Sequence, residues 1–211
     1  LRPYEPNPPA RLEEEQGINV CVQDLLVGGQ YATAWREVHW EGGVRLFLVS
    51  IANTYPECTA RDEAVQTIRR AAEASEEERT ATHRRWWHAY YPASLVTLPD
   101  KGLERFYWLQ MYKLASATRA GRAMMDTSGP WFQPTPWPYI TWDLNVQLCY
   151  WPVYASNRCD LGLSLIETLY RHRDTLAENV RPVEWQADSA FVHVTTAQDL
   201  REPRDGDMRY Y

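Results

Sequence analysis

The chain has 211 residues, of which 45% are hydrophobic, 13% aromatic and 24% charged, and this composition excludes a disordered or collagen-like protein. Its 22 Lys and Arg against 28 Asp and Glu give a net charge of −6, which argues against nucleic acid as a partner because no broad basic field is present. No stretch reaches the roughly 18 apolar residues of a membrane-spanning helix, so we expect a soluble protein without a membrane partner.

The first 58 residues have the pattern of a β-structured domain. Residues 1–16 carry four prolines and an acidic run, which predicts no regular element there. Apolar runs then predict three strands, the last two joined by a hairpin turn at Glu41-Gly42-Gly43: Ile18–Val27, Tyr31–Trp40 and Val44–Ala52. The third strand is apolar on both faces, so we expect both faces to be covered, as in a β-sandwich.

Helical spacing begins after Thr59. Thr59 with Asp62, and Ser75 with Glu78, have the three-residue separation of helix start signals. Small and aliphatic residues then recur at helical spacing between 64 and 72. These patterns predict linker helices between two domains, over residues 59–92.

Further helices are predicted from Pro99 onward. Residues 103–114 are apolar on nearly every side, which indicates a helix buried by its neighbours. A second helix is predicted from Asp143 toward Tyr154, where Pro152 should kink or end it because proline lacks a backbone N–H.

A third helix is predicted from Asp160 to Asn179. Its expected core side consists of Leu165, Ile166, Leu169, Leu176 and Val180. The proline-rich and aromatic segment 127–139 predicts a structured loop, and the residues after 181 alternate too irregularly for anything but loop.

The four cysteines are widely spaced and contain no CxxC pair, which argues against a zinc site. We expect buried thiols, with one disulfide remaining an open alternative; the cysteines are Cys21, Cys58, Cys149 and Cys159. The histidines lack metal-ligand spacing, and the chain has no phosphate-binding glycine loop and no nucleophile elbow. We therefore expect neither a metal nor a cofactor.

The densest group of aromatic and polar side chains spans residues 137–152. Asp143, Asn145 and Gln147 lie there among tryptophans and tyrosines. In one interpretation Asp143 caps the helix, Asn145 faces solvent and the tryptophans belong to the core; the residues alone favour this one. In the other, the aromatic loop and the first helical turn form a cleft in which aromatic faces stack on a sugar.

The second interpretation makes a geometric demand on the polar pair. In a continuous helix Asp143 and Asn145 would diverge by about 200°, so they converge only if the start of the helix is irregular. They would then contact sugar hydroxyls or a reactive water.

The stretch from Trp142 to Pro152 resembles the Asn-x-Asn-x-Gln-Met-x-Tyr-Trp-Pro helix of glycoside hydrolase family 95, the α-L-fucosidase and α-L-galactosidase family. Further stretches resemble this family in the same order. Residues 29–31 with 46–52 are similar to the end of its β-sandwich domain, 94–112 to its first barrel helix, and 129–131 to the following loop. The resemblance covers roughly residues 29 to 165.

The resemblance implies a multidomain α and β protein. It places the C-terminal part of a β-sandwich domain at 1–58, a helical linker at 59–92, and the first helices of an (α/α)6 barrel of the six-hairpin glycosidase type at 93–211. It also implies inverting hydrolysis of a terminal sugar on an oligosaccharide or glycan, in an extracellular or periplasmic location. After Pro99 only about 110 residues remain, which is too few for twelve barrel helices, so we expect an inactive fragment. The resemblance implies that the general acid lies beyond this chain.

By position in the motif, the second of the family's two water-holding asparagines is Asn145, whereas the first is Asp143 in this chain. A carboxylate can accept a proton, so we expect Asp143 to act as base or co-base and Asn145 to orient the water. The residues expected to bind the sugar are Trp131, Trp137, Trp142, Gln147 and Trp151. Two alternatives stay open: a non-catalytic carbohydrate-binding relative, and another six-hairpin glycosidase or lyase family.

Overall fold

The computed structural model describes residues 6–26, 28–131, 139–180 and 182–202. Within these ranges a four-stranded antiparallel sheet is followed by six helices, which makes the protein mixed α and β. The chain divides into two compact units, one ending at Trp86 and the other beginning at Trp87. The three-part division at residues 58 and 92 stays a prediction. No helix in the described ranges is both long enough and apolar enough to cross a membrane.

The sheet contains its strands in sequence order: β1 (Arg11–Glu15), β2 (Ile18–Asp24), β3 (Gln30–Glu41) and β4 (Val44–Thr54). Two-residue turns join β1 to β2 and β3 to β4. Both residues of each turn have positive φ, Gln16 and Gly17 in the first and Gly42 and Gly43 in the second. Such turns match the twist of paired strands. The predicted β3–β4 hairpin is confirmed, whereas the prediction of no regular element before residue 17 is wrong.

One face of the sheet is covered by helix α1 (Ala60–Glu73). The residues that form this core are Ile18, Val20, Val22, Ala32, Ala34, Ala52, Ala60, Ala64, Val65 and Ile68. On the other face of β4, Phe47, Val49 and Ile51 are exposed, Ile51 at 64%. The described residues supply a packing layer on one face only, so the expectation that both faces are covered, as in a β-sandwich, stays a prediction.

Strand β1 is tied to α1 by ion pairs. Arg61 donates from Nε to Glu13 at 2.7 Å and from Nη2 to Glu15 at 2.8 Å, and Arg69 also pairs with Glu15. These hydrogen bonds hold the pKa of the Glu15 carboxyl below its ordinary value. The acidic run is therefore part of the sheet, where alternate glutamates face the helix.

Both predicted helices between residues 59 and 92 form. Helix α2 (Glu76–Tyr90) begins with the predicted reciprocal cap, in which the Ser75 N–H donates to Glu78 Oε2 at 2.9 Å and the Glu78 N–H donates to Ser75 Oγ at 3.2 Å. Helix α1 begins directly after Thr59, but the Thr59 hydroxyl donates to Glu63 and caps no backbone N–H. The helix position is thus confirmed while its predicted side-chain cap is wrong.

Four helices lie in the described part of the second unit: α3 (Lys101–Ala117), α4 (Gln147–Ala155), α5 (Cys159–Arg171) and α6 (Arg173–Glu178). A short strand β5 (Ile140–Thr141) pairs with β6 (Thr195–Thr196), and single helical turns occupy Tyr91–Ala93 and Gln186–Asp188. The buried core of this unit consists of Tyr90, Met111, Ala115, Met125, Val146, Tyr150, Val153 and Leu161. Apart from the single turn and β6, the loop prediction for the residues after 181 is confirmed in the described part.

Helix α3 differs from its prediction. It begins at an Asp100 cap, whose carboxylate accepts the N–H groups of Gly102 and Leu103 at 2.7 and 3.2 Å. It buries Met111, but Leu103 and Phe106 are exposed. Neighbours among the described residues pack against one side of α3 only, so its burial on every side stays a prediction.

The predicted third helix is two helices. It breaks at His172, whose φ of −104° and ψ of 21° lie outside the helical range, and α6 follows. The predicted core side is wrong at Ile166, which is exposed, whereas Leu161 and Ser164 are buried. Ser164 faces inward because its hydroxyl is hydrogen-bonded to the buried hydroxyl of Tyr150 at 2.9 Å.

The cysteine prediction is wrong in part. All four thiols are free, and none is fully buried: Cys21 and Cys149 are partly buried, while Cys58 and Cys159 are exposed. The open disulfide alternative is absent from the structure, in which all four cysteines are described.

Candidate functional site

The predicted polar pair lies in an irregular turn between β5 and α4. The turn spans Trp142–Val146, and within it Asp143 (φ −63°, ψ 112°) and Leu144 (φ 67°, ψ −43°) are not helical. The prediction of a helix start at Asp143 is therefore wrong, since α4 begins at Gln147. Pro152 does not end the helix, because only the carbonyl of the exposed Leu148 loses a helical partner and water can replace it.

The amino end of this turn is held by strand β6 and by the residue before it. The backbone N–H of Trp142 donates to the Val194 carbonyl at 2.8 Å, and its indole Nε1–H donates to Thr196 Oγ1 at 2.7 Å. Thr196 is completely buried, and Trp142 packs partly buried against the core of the second unit. Trp142 thus fixes the turn at the residue before Asp143.

The side chains of the pair are open to ligands. Asp143 is exposed and Asn145 is half-buried. In the part of the chain that the structure describes, neither side chain has a hydrogen-bond partner, and α4 has no side-chain cap. The interpretation of Asp143 as a helix cap is therefore wrong, and its carboxylate is available to water or substrate.

Two predicted sugar-binding side chains follow the pair on α4. Gln147 and Trp151 are four residues apart and so lie on one face of the helix, both exposed, Trp151 at 65%. An indole with that much exposed surface offers a flat apolar face for stacking. The turn and this helix face together present a carboxylate, two amides and an aromatic ring to solvent.

The aromatic loop carries the other predicted tryptophans. The exposed ring of Trp131 lies against Gly129, where a Cβ would come within 2.8 Å of the ring. Gly129 has a φ of 62°, and its N–H is accepted by the Asp126 carboxylate at 3.2 Å. A glycine is therefore required at this position both for the backbone and for the ring. The predicted sugar-binding residue Trp137 lies outside the described residues.

Tyr150 connects α4 to this loop. Its hydroxyl accepts the N–H of Met125 at 2.8 Å and is hydrogen-bonded to Ser164, and burial raises the pKa of its phenol. The Cys149 thiol also donates a hydrogen bond to the Asp126 carbonyl, with an Sγ to oxygen distance of 3.4 Å. The sequence does not predict this role of Tyr150, although the residue lies inside the motif.

A second residue whose role the sequence does not predict is Arg158. It is buried, and its guanidinium donates to Ser94 Oγ at 2.6 Å and to the Ser156 and Tyr91 carbonyls at 2.8 and 3.3 Å. The guanidinium also lies 4.5 Å from the centre of the Tyr90 ring. It thereby joins the α4–α5 connection to the end of α2, a structural role that lone-residue patterns give no means to predict.

Comparison with known proteins does not assign a function to these residues. Neither the protein-family models nor the curated proteins include a match to the chain. Among the described residues, no three His, Cys, Asp or Glu side chains group as a metal site would require. A functional proposal must therefore come from the chemistry of the Asp143 turn and from the sequence resemblance.

Proposed function

We propose that this chain is part of a glycoside hydrolase that removes a terminal sugar, α-L-fucoside-like or α-L-galactoside-like, from a glycan with inversion of configuration. The observation that supports it most is the open Asp143 carboxylate, which has no hydrogen-bond partner among the described residues and lies in the turn with Asn145. Because this carboxylate makes no structural hydrogen bond within the described part of the chain, it is open to a substrate or a water.

In the proposed reaction, a water held by the Asn145 side chain attacks the anomeric carbon. Asp143 accepts the proton of that water while the bond to the leaving oxygen breaks on the opposite face of the sugar. The leaving oxygen receives its proton from a general acid, which we place in a part of the protein beyond this chain. Trp131, Trp137, Trp142, Gln147 and Trp151 are proposed to bind the sugar, with the exposed ring of Trp151 stacking on its apolar face.

Exposed apolar surfaces on the sheet and on α3 support the proposal that the chain is part of a larger protein. Ile51 and its neighbours leave one sheet face open, and Leu103 and Phe106 leave one side of α3 open. Contiguous apolar surface of this kind marks contact with further structure. We propose a second sheet over the first surface, giving a β-sandwich, and further helices of an (α/α)6 barrel beside the second. The glycan substrate favours an extracellular or periplasmic location.

A second candidate is a non-catalytic carbohydrate-binding protein of the same fold. It is favoured by one observation, the replacement of the first motif asparagine by Asp143. Such a protein would keep the aromatic surface and bind the sugar without cleaving it.

The experiment is hydrolysis of a panel of nitrophenyl glycosides by the intact protein that contains this chain, with the anomer of the first-formed sugar read by proton NMR. We expect release from an α-L-fucoside or an α-L-galactoside, with the β anomer formed first. Sugar binding without turnover would favour the second candidate. Neither binding nor turnover on any glycoside would refute both, and a retained anomer would refute the inverting mechanism.

A further inference from the structure

The backbone of Leu144 is strained. Its φ of 67° and ψ of −43° lie near the γ-turn with positive φ, a conformation that is rare for residues with a side chain. The other non-glycine residues with positive φ in the described ranges are Gln16, Asn157 and Leu200. Gln16 lies in a hairpin turn and Asn157 follows Ser156, the C-cap of α4, where positive φ is common. Only the two leucines need another explanation.

The two leucines differ in what offsets the strain. Leu200 is completely buried, so the transfer of its side chain from water stabilises its tight turn. Its N–H also donates to the Ala197 carbonyl at 3.1 Å. Leu144 is 61% exposed, so little burial is available to offset its conformation. The packing of the Leu144 side chain therefore does not offset the strain of its backbone.

The strain at Leu144 is held from outside by both ends of the turn. On the amino side, Val194 and Thr196 bind the backbone and indole N–H groups of Trp142. On the carboxyl side, Val146 is buried in the core, and the Gln147 N–H donates to the Leu144 carbonyl. Strained residues persist when the surrounding structure over-determines them, and they concentrate at functional sites.

We infer that Leu144 is a positioning residue for the proposed hydrolysis. Its conformation interrupts the helical path, along which the side chains of Asp143 and Asn145 would diverge by about 200°. In this inference, the positive φ of Leu144 takes the backbone off that path, so that both groups can reach one water. The inference rests on the proposed function, and it assigns to the buried Thr196 the role of maintaining this turn through Trp142.

The test compares two substitutions at Leu144 in the intact protein. Leu144→Gly removes the constraint on φ, and we expect kcat to fall about 10- to 100-fold because the water-holding groups lose their alignment. We expect KM to stay within about twofold and the melting temperature not to fall, since glycine adopts positive φ freely. Leu144→Ala is the matched control, because it shortens the exposed side chain and keeps the strain, and its kcat should stay within about twofold of wild type.

A second variant keeps the test decisive if Leu144→Gly does not fold. Thr196→Val removes the acceptor of the Trp142 indole N–H with little change of shape, and we expect a loss in kcat. If the wild type is active, an unchanged kcat in folded Leu144→Gly would overturn this inference but not the proposed function. If Leu144→Gly is unfolded, an unchanged kcat in Thr196→Val would do the same. So would an equal loss of kcat in Leu144→Ala. A wild type without hydrolysis would overturn the proposed function and this inference with it.

Discussion

The sheet and helix of the first unit differ sharply from the turn before α4. In residues 11–73, tight turns have positive φ where the hairpins need it, buried residues alternate along β2, and the charged groups of β1 are paired. In Trp142–Val146, a leucine is strained, no side chain caps the helix, and a carboxylate is unpaired among the described residues. Local rules are broken where the sequence predicts chemistry, which is the expected place for such departures.

The largest expected effect on stability lies in the regular region. Ile68 is buried between α1 and the sheet, so Ile68→Ala should lower the free energy of unfolding by about 2–5 kcal/mol through lost burial and a cavity. Gln66→Ala on the exposed side of the same helix is the control and should change it by less than about 0.5 kcal/mol. Urea unfolding measures both. A loss below about 1 kcal/mol for Ile68→Ala would mean that this core is not packed as described.

The support beneath the turn should show the next effect. Tyr150→Phe leaves the Met125 N–H and the Ser164 hydroxyl without their shared partner, so we expect a loss of about 1–3 kcal/mol in unfolding free energy. The exposed Tyr154 on the same helix supplies the control, and Tyr154→Phe should be nearly neutral. Equal values for the two variants would show that Tyr150 does not connect α4 to its loop.

A smaller effect on stability is expected at the starts of helices α1 and α2. Ser75→Ala removes the hydroxyl that accepts the Glu78 N–H and should cost about 1 kcal/mol of unfolding free energy. Thr59→Ala is the matched control, because the Thr59 hydroxyl accepts no backbone N–H at the start of α1, and its cost should be clearly lower. Thermal unfolding of both variants measures the difference. A reversed order would contradict the caps described above.

The smallest effect is a pH dependence in the second unit. Burial lowers the pKa of His172, as do Arg171 and Arg201, while Asp199 opposes the shift. The unfolded chain therefore binds a proton more readily than the folded one, and stability falls as the pH falls from 7.5 to 5.5. His172→Gln should reduce this loss of melting temperature. An identical loss in the variant would show that His172 does not set the dependence of the melting temperature on pH in this range. The lowered pKa of Glu15 affects stability only at more acidic pH.

Much of the regular region follows from local sequence signals. The Gly42-Gly43 turn and the Ser75 and Glu78 cap are short-range patterns, and both form as predicted. Strand β1 is not predicted because the prolines before it and its own glutamates indicate a solvated lead-in, although Gln16-Gly17 marks a turn. The inward side of α5 was misjudged at Ser164, because its burial depends on a bond to the distant Tyr150.

The sequence motif names the candidate residues but does not give their geometry. The motif identified Asp143 and Asn145, and the need for an irregular helix start was recognised from helical periodicity. The turn that fulfils it depends on Thr196, which lies 54 residues from Trp142, and on the positive φ of Leu144. A leucine gives no local signal of positive φ, so this conformation required the structure.

The most direct test of the account is the pH dependence of kcat/KM for wild type and Asp143→Asn in the intact protein. If Asp143 takes the proton of the attacking water, the wild-type rate must fall on the acidic side as this carboxylate is protonated. We predict that Asp143→Asn, which cannot accept that proton, changes or abolishes this acidic limb while leaving the fold intact. Profiles that coincide at every pH would contradict the assignment of Asp143 as base.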